Sequence, residues 1–255
     1  MFHGSRDGRT QTAAIGLRDL LIAHQSNNIL TQHNYLKKSL FNKELNSVST
    51  SNLPQIPLIE IAPLELAAET LGDRLVSFAD QATSQGLKQI KVVPLFLAPG
   101  VHVLSDIPAE IALARKQIDC QVTIELLPYL GKYSGIGNLI AHQFDELSAK
   151  TRILIAHGSK LLAAGEYYQN LSQRLNINIA YWSSMPRFSQ QIKTKIALGS
   201  QKIALLPYFL FPGRITAAIA TEVAELQQEF PQVELSLGKP LGATPALAEL
   251  IAREA

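Results

Sequence analysis

Cysteine is nearly missing from this chain: the single Cys120 excludes an internal disulfide, a CxxC pair and an iron–sulfur centre built from one chain. Charge of one sign is also lacking. Twenty-three Lys and Arg face 21 Asp and Glu, a net charge of +2, so there is no basic face of the kind that binds nucleic acid. No apolar run reaches the ~18–20 residues of a membrane span. The opening Met1-Phe2-His3-Gly4-Ser5 lacks the charged and apolar parts of a secretory leader. No GxxxxGK[ST] loop occurs, which argues against an ATP-driven reaction. The Gly135-Ile136-Gly137 pair does not follow a strand as a dinucleotide loop would, and a helix start explains it. No trusted Ser-His-Asp order is found. These absences leave a soluble, cytoplasmic protein, with no nucleic acid and no membrane as partner.

What the sequence does contain is a repeat. His3-Gly4-Ser5-Arg6 recurs as His157-Gly158-Ser159-Lys160. The run from Val93 to Gly100 recurs from Leu206 to Gly213. Leu130-Gly131 ahead of Leu139-Ile140-Ala141 is matched by Leu241-Gly242 ahead of Leu250-Ile251-Ala252. Three matched blocks in one order indicate a duplicated unit. The boundary falls near Ser148-Ala149-Lys150, dividing the chain into 1–149 and 150–255.

Continuous apolar runs at 57–61, 90–97, 122–127, 152–156, 177–182, 202–209 and 233–237 suit strands buried on both faces. Helical periodicity fills 10–24, 64–85, 106–118, 135–147, 161–175, 187–198, 216–229 and 244–253. The alternation predicts parallel sheets with right-handed crossovers: two tandem four-stranded, flavodoxin-like α/β units facing one another across a cleft. The first unit departs from the plan twice. A strand precedes His157, but only Met1 and Phe2 precede His3, and a buried parallel strand needs about five residues. The expectation is that the natural chain starts further upstream and Met1 is internal. Residues 25–55 form a polar insertion in which Leu36, Leu40 and Phe41 predict a short amphipathic helix.

Ligands of parallel α/β sheets bind outside the carboxyl ends of the strands. His3 stands where the first strand should end, Glu60 near the end of the second, and His102 in the turn after the third, ahead of helix-start signals at Ser105, Asp106 and Pro108. Two imidazoles and a carboxylate suit Fe²⁺, Co²⁺, Ni²⁺ or Zn²⁺ and accept protons near neutral pH. The second copy is an internal control. Setting Pro94 against Pro207 puts Ile215 opposite His102, and setting Pro63 against Pro186 puts Ser183 opposite Glu60. Only His157 matches His3, as a turn residue or substrate contact. The pattern predicts one working site in the first unit and a degenerate one in the second. His24 and His142 fall at helix ends and His33 in the polar insertion.

The run His3-Gly4-Ser5-Arg6-Asp7, with the segment from Pro94 to His102 and Asp106-Ile107-Pro108, resembles the CbiX/SirB family of class II chelatases over nearly the whole chain. The resemblance implies a chelatase-like fold and ATP-independent insertion of Co²⁺ or Fe²⁺ into sirohydrochlorin, in cobalamin or siroheme biosynthesis. It implies no permanently bound cofactor, the metal being a substrate. It makes His3 and His102 the catalytic, metal-holding histidines and gives the acidic role to Glu60. The substrate's carboxylates make Ser5, Arg6, Arg9 and His157 candidate contacts. The alternative is a metal or tetrapyrrole carrier without turnover.

Overall fold

The protein is described by a computed structural model covering residues 1–2, 7–40, 58–118 and 122–255, with the backbone alone for 29–40. In chain order its elements are α1 (Gly8–Leu40), α2 (Leu71–Ser84), β1 (Gln89–Val92), α3 (Ile107–Gln117), β2 (Thr123–Leu126) and α4 (Ile136–Glu146). There follow β3 (Thr151–Ala156), α5 (Leu162–Leu175), β4 (Asn178–Tyr181), α6 (Phe188–Ala197), β5 (Lys202–Pro207), α7 (Arg214–Glu229), β6 (Glu234–Leu237) and α8 (Pro245–Glu254).

The second half is the regular one. Its four strands pair in parallel in the order β4-β3-β5-β6. Side chains alternate between the faces of a strand, and here both faces are covered. Leu154, Ala156, Ala204 and Leu206 face a cluster that includes residues of α4, α5 and α8. Ile153, Ile155, Ile203 and Leu205 face the other way, onto α6 and α7. Each such Leu or Ile side chain removed from water contributes about 1.5–3 kcal/mol.

The first half follows the same order, with Met1 and Phe2 at its first-strand position. Only β1 and β2 form a ladder among the described residues, so the expected four-stranded first sheet is not realised there. Met1 and Phe2 occupy the position of the first strand. The Met1 amino group donates to Val93 O at 3.0 Å, and Leu95 N–H donates to Met1 O at 2.7 Å. On the other side, Phe2 N–H donates to Ala62 O at 3.1 Å and Leu64 N–H to Phe2 O at 2.8 Å. Met1 packs into the cluster of α2 and α3 and Phe2 into the opposite one, as adjacent residues of a strand do. Two residues cannot pair along the full length of a neighbour. Leu58 to Ile61, expected as strand, therefore lies outside any ladder.

Two helix expectations are also corrected. The helix predicted over 64–85 begins at Leu71, because Thr70 caps it: Thr70 Oγ1 accepts from Asp73 N–H at 3.1 Å, and Asp73 returns the bond. No separate short helix occupies 36–41; α1 runs unbroken to Leu40, and 41–55 lie outside the described residues.

The two halves share one core. α1 packs against α8, and α4 packs against both α5 and α8. The Glu254 carboxylate accepts from Ser134 N–H at 2.9 Å and Gly135 N–H at 3.2 Å, at the start of α4. Phe2 meets Phe211 edge to face, with centroids 6.3 Å apart.

Candidate functional site

His102 opens a wide, π-helical turn, His102–Asp106, that leads into α3. This turn closes with Ile107 N–H on His102 O and brings the Asp106 carboxylate back over the ring. His102 Nδ1 lies 2.7 Å from Asp106 Oδ2. An ionised carboxylate only accepts, so Nδ1 carries the proton and a neutral ring presents its lone pair at Nε2. Nε2 lies 3.7 Å from Glu65 Oε1, too long for a hydrogen bond. Nitrogen and carboxylate oxygen thus sit side by side, as two donors of a metal site would. A carboxylate behind a histidine is the usual outer support of a metal-bound imidazole. The imidazole is 28% exposed, and its other flank rests near the Phe96 ring, 5.9 Å away.

The sequence-based choice of Glu60 does not match this geometry. Phe2 pairs with Pro63 in the first half, whereas Ala156 pairs with Tyr181 in the second. Leu64 N–H on Phe2 O corresponds to Trp182 N–H on Ala156 O. The residue opposite Ser183 is therefore Glu65. Glu60 is exposed, nearer the amino end of its segment, and the structure does not bring it to His102. The carboxylate that the structure sets beside His102 is Glu65, which sequence reasoning did not single out. The Thr70–Asp73 capping box, just beyond Glu65, was the signal that could have set the register.

The other expected residues divide. His3, Ser5 and Arg6 lie outside the described residues. Arg9 is held by Asp7: its Nη2 lies 2.7 Å from Asp7 Oδ2 and its Nε 3.0 Å from Oδ1. The Arg9 bonds hold the Asp7 carboxyl below its ordinary pKa, and the Arg9 side chain remains exposed beside it. His157 serves a turn. Its Nδ1 lies 3.1 Å from Gly158 O, and Ser183 Oγ donates to His157 O at 2.6 Å. Gly158 takes φ +100°, and a Cβ there would strike Ser184, so only glycine fits.

Beside His102 lies an open pocket of about 290 Å³, lined by residues 64–71, Asp106 and Glu110. Glu65, Glu69, Asp106 and Glu110 give it four carboxylates, a field that attracts cations. Among the described residues no three His, Cys, Asp or Glu side chains meet in metal-binding geometry, so His102 and Glu65 form a pair. Leu66, Val101 and Met185 are exposed apolar side chains on loops that follow strand positions, and Leu104 on the π-helical turn and Leu162 at the start of α5 are exposed as well.

Comparison with known proteins bears on both halves. A family model described as CbiX matches residues 42–147 and again 151–255. A sirohydrochlorin ferrochelatase of Priestia megaterium is 23% identical over 212 residues, covering 78% of this chain and 77% of that one. A sirohydrochlorin cobaltochelatase of the same organism is 22% identical over 192 residues, 69% of this chain and 62% of that one. Among solved structures, SirB from Bacillus subtilis with Fe³⁺ superposes with a TM-score of 0.72 at 20% identity, covering 99% of this chain and 91% of the other, and so shares the fold.

Proposed function

The chain belongs to the CbiX family, and from that premise we propose that it inserts a divalent metal into sirohydrochlorin without ATP. The observation that carries the reading is the His102–Glu65 pair, oriented by Asp106 and set in an acidic pocket. Two donors from the described residues hold a metal loosely, and an incomplete site can hand its metal on. His3 is proposed as the third donor; its chain neighbour Phe2 lies in the strand position beside Leu64, one residue before Glu65. Imidazole and carboxylate suit both Co²⁺ and Fe²⁺, so either serves as the substrate metal.

Two pyrrole N–H protons must leave as the metal enters the macrocycle. A neutral imidazole with its lone pair at Nε2 takes one as metal is released, and the Glu65 carboxylate or solvent water takes the other. The exposed apolar side chains on the loops offer a flat macrocycle its face contacts. Ser5 and Arg6 remain proposed contacts for its carboxylates, together with His157. We place the reaction in the cytoplasm, where a chain with one cysteine needs no disulfide. Among the described residues no helix is long and apolar enough to cross a membrane.

The test is direct. Purified protein is mixed with sirohydrochlorin and either Co²⁺ or Fe²⁺, without ATP, and the absorbance of the metallated product is followed. Enzyme-dependent acceleration with either metal supports the proposal. Tight binding of metal and tetrapyrrole without acceleration would point instead to a carrier.

A further inference from the structure

The second half carries a chain of buried hydroxyls that reaches into the first. Tyr208 follows β5 and is 4% exposed. Its hydroxyl lies 3.1 Å from Leu97 O. The Tyr167 hydroxyl, from α5, lies 2.6 Å from that of Tyr208 and 3.2 Å from Gly131 O. Leu97 opens the loop Leu97-Ala98-Pro99-Gly100-Val101 that ends on His102. Two hydroxyl protons serve three short contacts. The 2.6 Å separation requires one hydroxyl to donate to the other. Either hydroxyl can be that donor: when Tyr167 donates to Tyr208, the Tyr208 proton goes to the Leu97 carbonyl, and when Tyr208 donates to Tyr167, the Tyr167 proton goes to Gly131 O, so each arrangement ties the pair to the first half.

The arrangement is one-sided. Counting from Pro94 and Pro207, Leu95 stands where Tyr208 stands; counting from His3 and His157, Ala13 stands where Tyr167 stands. Neither can donate a hydrogen bond from its side chain. Leu210, the counterpart of Leu97, has its carbonyl bound by Gly242 N–H at 2.7 Å instead. The second half's loop is met from across the seam by a longer, exposed contact, Thr10 Oγ1 to Pro212 O at 3.5 Å, whereas the Tyr208 contact on the loop leading to His102 is shorter and partly buried. Gly131 completes the contact: a Cβ there would drive into Leu97 O, so the carbonyl rests against bare backbone.

We infer that Tyr208, supported by Tyr167, is a positioning residue for the first half, its hydroxyl fixing the root of the loop that carries His102. The second copy, without the Glu65 and His102 counterparts, acts on the reaction by holding the first copy's loop in place. The catalytic part of this inference rests on the chelatase reading; the bracing part does not. Burial raises the Tyr167 hydroxyl to about 12 and the Tyr208 hydroxyl well above its ordinary value, so both keep their protons at physiological pH.

Tyr208→Phe removes the hydroxyl and keeps the ring. The experiment compares wild type, Tyr208→Phe, Tyr167→Phe and the double variant by hydrogen–deuterium exchange and by steady-state metal insertion. Exchange should quicken in peptides spanning 97–105 and stay unchanged in β3 and β5. The KM for metal should rise about tenfold, since small misplacements of a reacting group cost one to two orders of magnitude. The KM for sirohydrochlorin should hold. The double variant should match Tyr208→Phe, because both residues act through one chain. Should Tyr208→Phe lose its fold, Tyr167→Phe leaves the Tyr208 ring and hydroxyl in place and is read in the same way. Wild-type exchange at 97–105 in the folded variants, or faster exchange spread equally through β3 and β5, would overturn the inference. Exchange needs no turnover, so a wild-type protein that fails to insert metal defeats the functional reading while the brace is still judged.

Discussion

Asp106 lies 2.7 Å from His102 Nδ1, on the turn that His102 itself begins. This contact fixes which ring nitrogen faces the pocket. Asp106→Asn still fills the space but no longer favours a proton on Nδ1. Metal affinity should fall about 10–100-fold, the usual effect of losing the carboxylate behind a metal-binding histidine. The fold should persist, since both side chains are partly exposed. Calorimetric titration with Co²⁺ checks this; unchanged affinity would mean that the contact does not orient the ring.

Glu65 and Glu60 give a paired test of the register. Glu65→Gln should lower kcat/KM for metal insertion by at least about tenfold, because the neutral amide is a poor metal donor and no base. Glu60→Gln, at an exposed position, should leave activity within about twofold and stability within ~0.5 kcal/mol. The reverse outcome would return the acidic role to Glu60.

His102 and His157 test the division of labour between the copies. His102→Ala removes a donor and a base together and should abolish insertion in a folded protein. His157→Ala should be much milder, since the ring is exposed and meets the backbone of its own turn. Equal loss in two folded variants would argue against a site confined to the first half.

In a chain that is made to start at Met1, the buried amino group makes stability depend on pH. Burial lowers the pKa of its amino group from 8.0 to about 5. The unfolded chain then binds one proton more than the folded chain between those values, so stability rises as pH rises from about 5 to about 8. The gain is about 3–5 kcal/mol, because a tenfold change in proton affinity is worth about 1.36 kcal/mol. It is complete above pH 8 and lost as pH falls to about 5. Urea titrations of the chain beginning at Met1 should show this slope. A version with about five strand-forming residues placed ahead of Met1 should lose it.

The features that were legible in the sequence have local causes. Continuous apolar runs located the four strands of the second half, and blocks such as His157-Gly158-Ser159 exposed the duplication. Glu65 was missed because Pro63 and Pro186 looked like equivalent landmarks. Backbone pairing instead sets Pro63 against the position of Tyr181. A proline marks the end of a segment without fixing register, whereas hydrogen bonds fix it residue by residue. The Tyr208–Leu97 contact lay beyond sequence reasoning for another reason: the two residues belong to different copies, and internal comparison relates copies without docking them.

The shared seam bears on how the molecule assembles. With α1 on α8 and α4 on α5, the first helix of each half lies against the last helix of the other. Severing the chain at Ser148-Ala149-Lys150 would turn that docking into a second-order encounter between two fragments. The intact peptide link makes it unimolecular, at an effective concentration on the order of millimolar for a short flexible connection. Neither fragment keeps its buried face covered alone, so each would depend on its counterpart for solubility. A lesion in the half without His102 would then lower the abundance of the whole protein, however remote it lies from the metal.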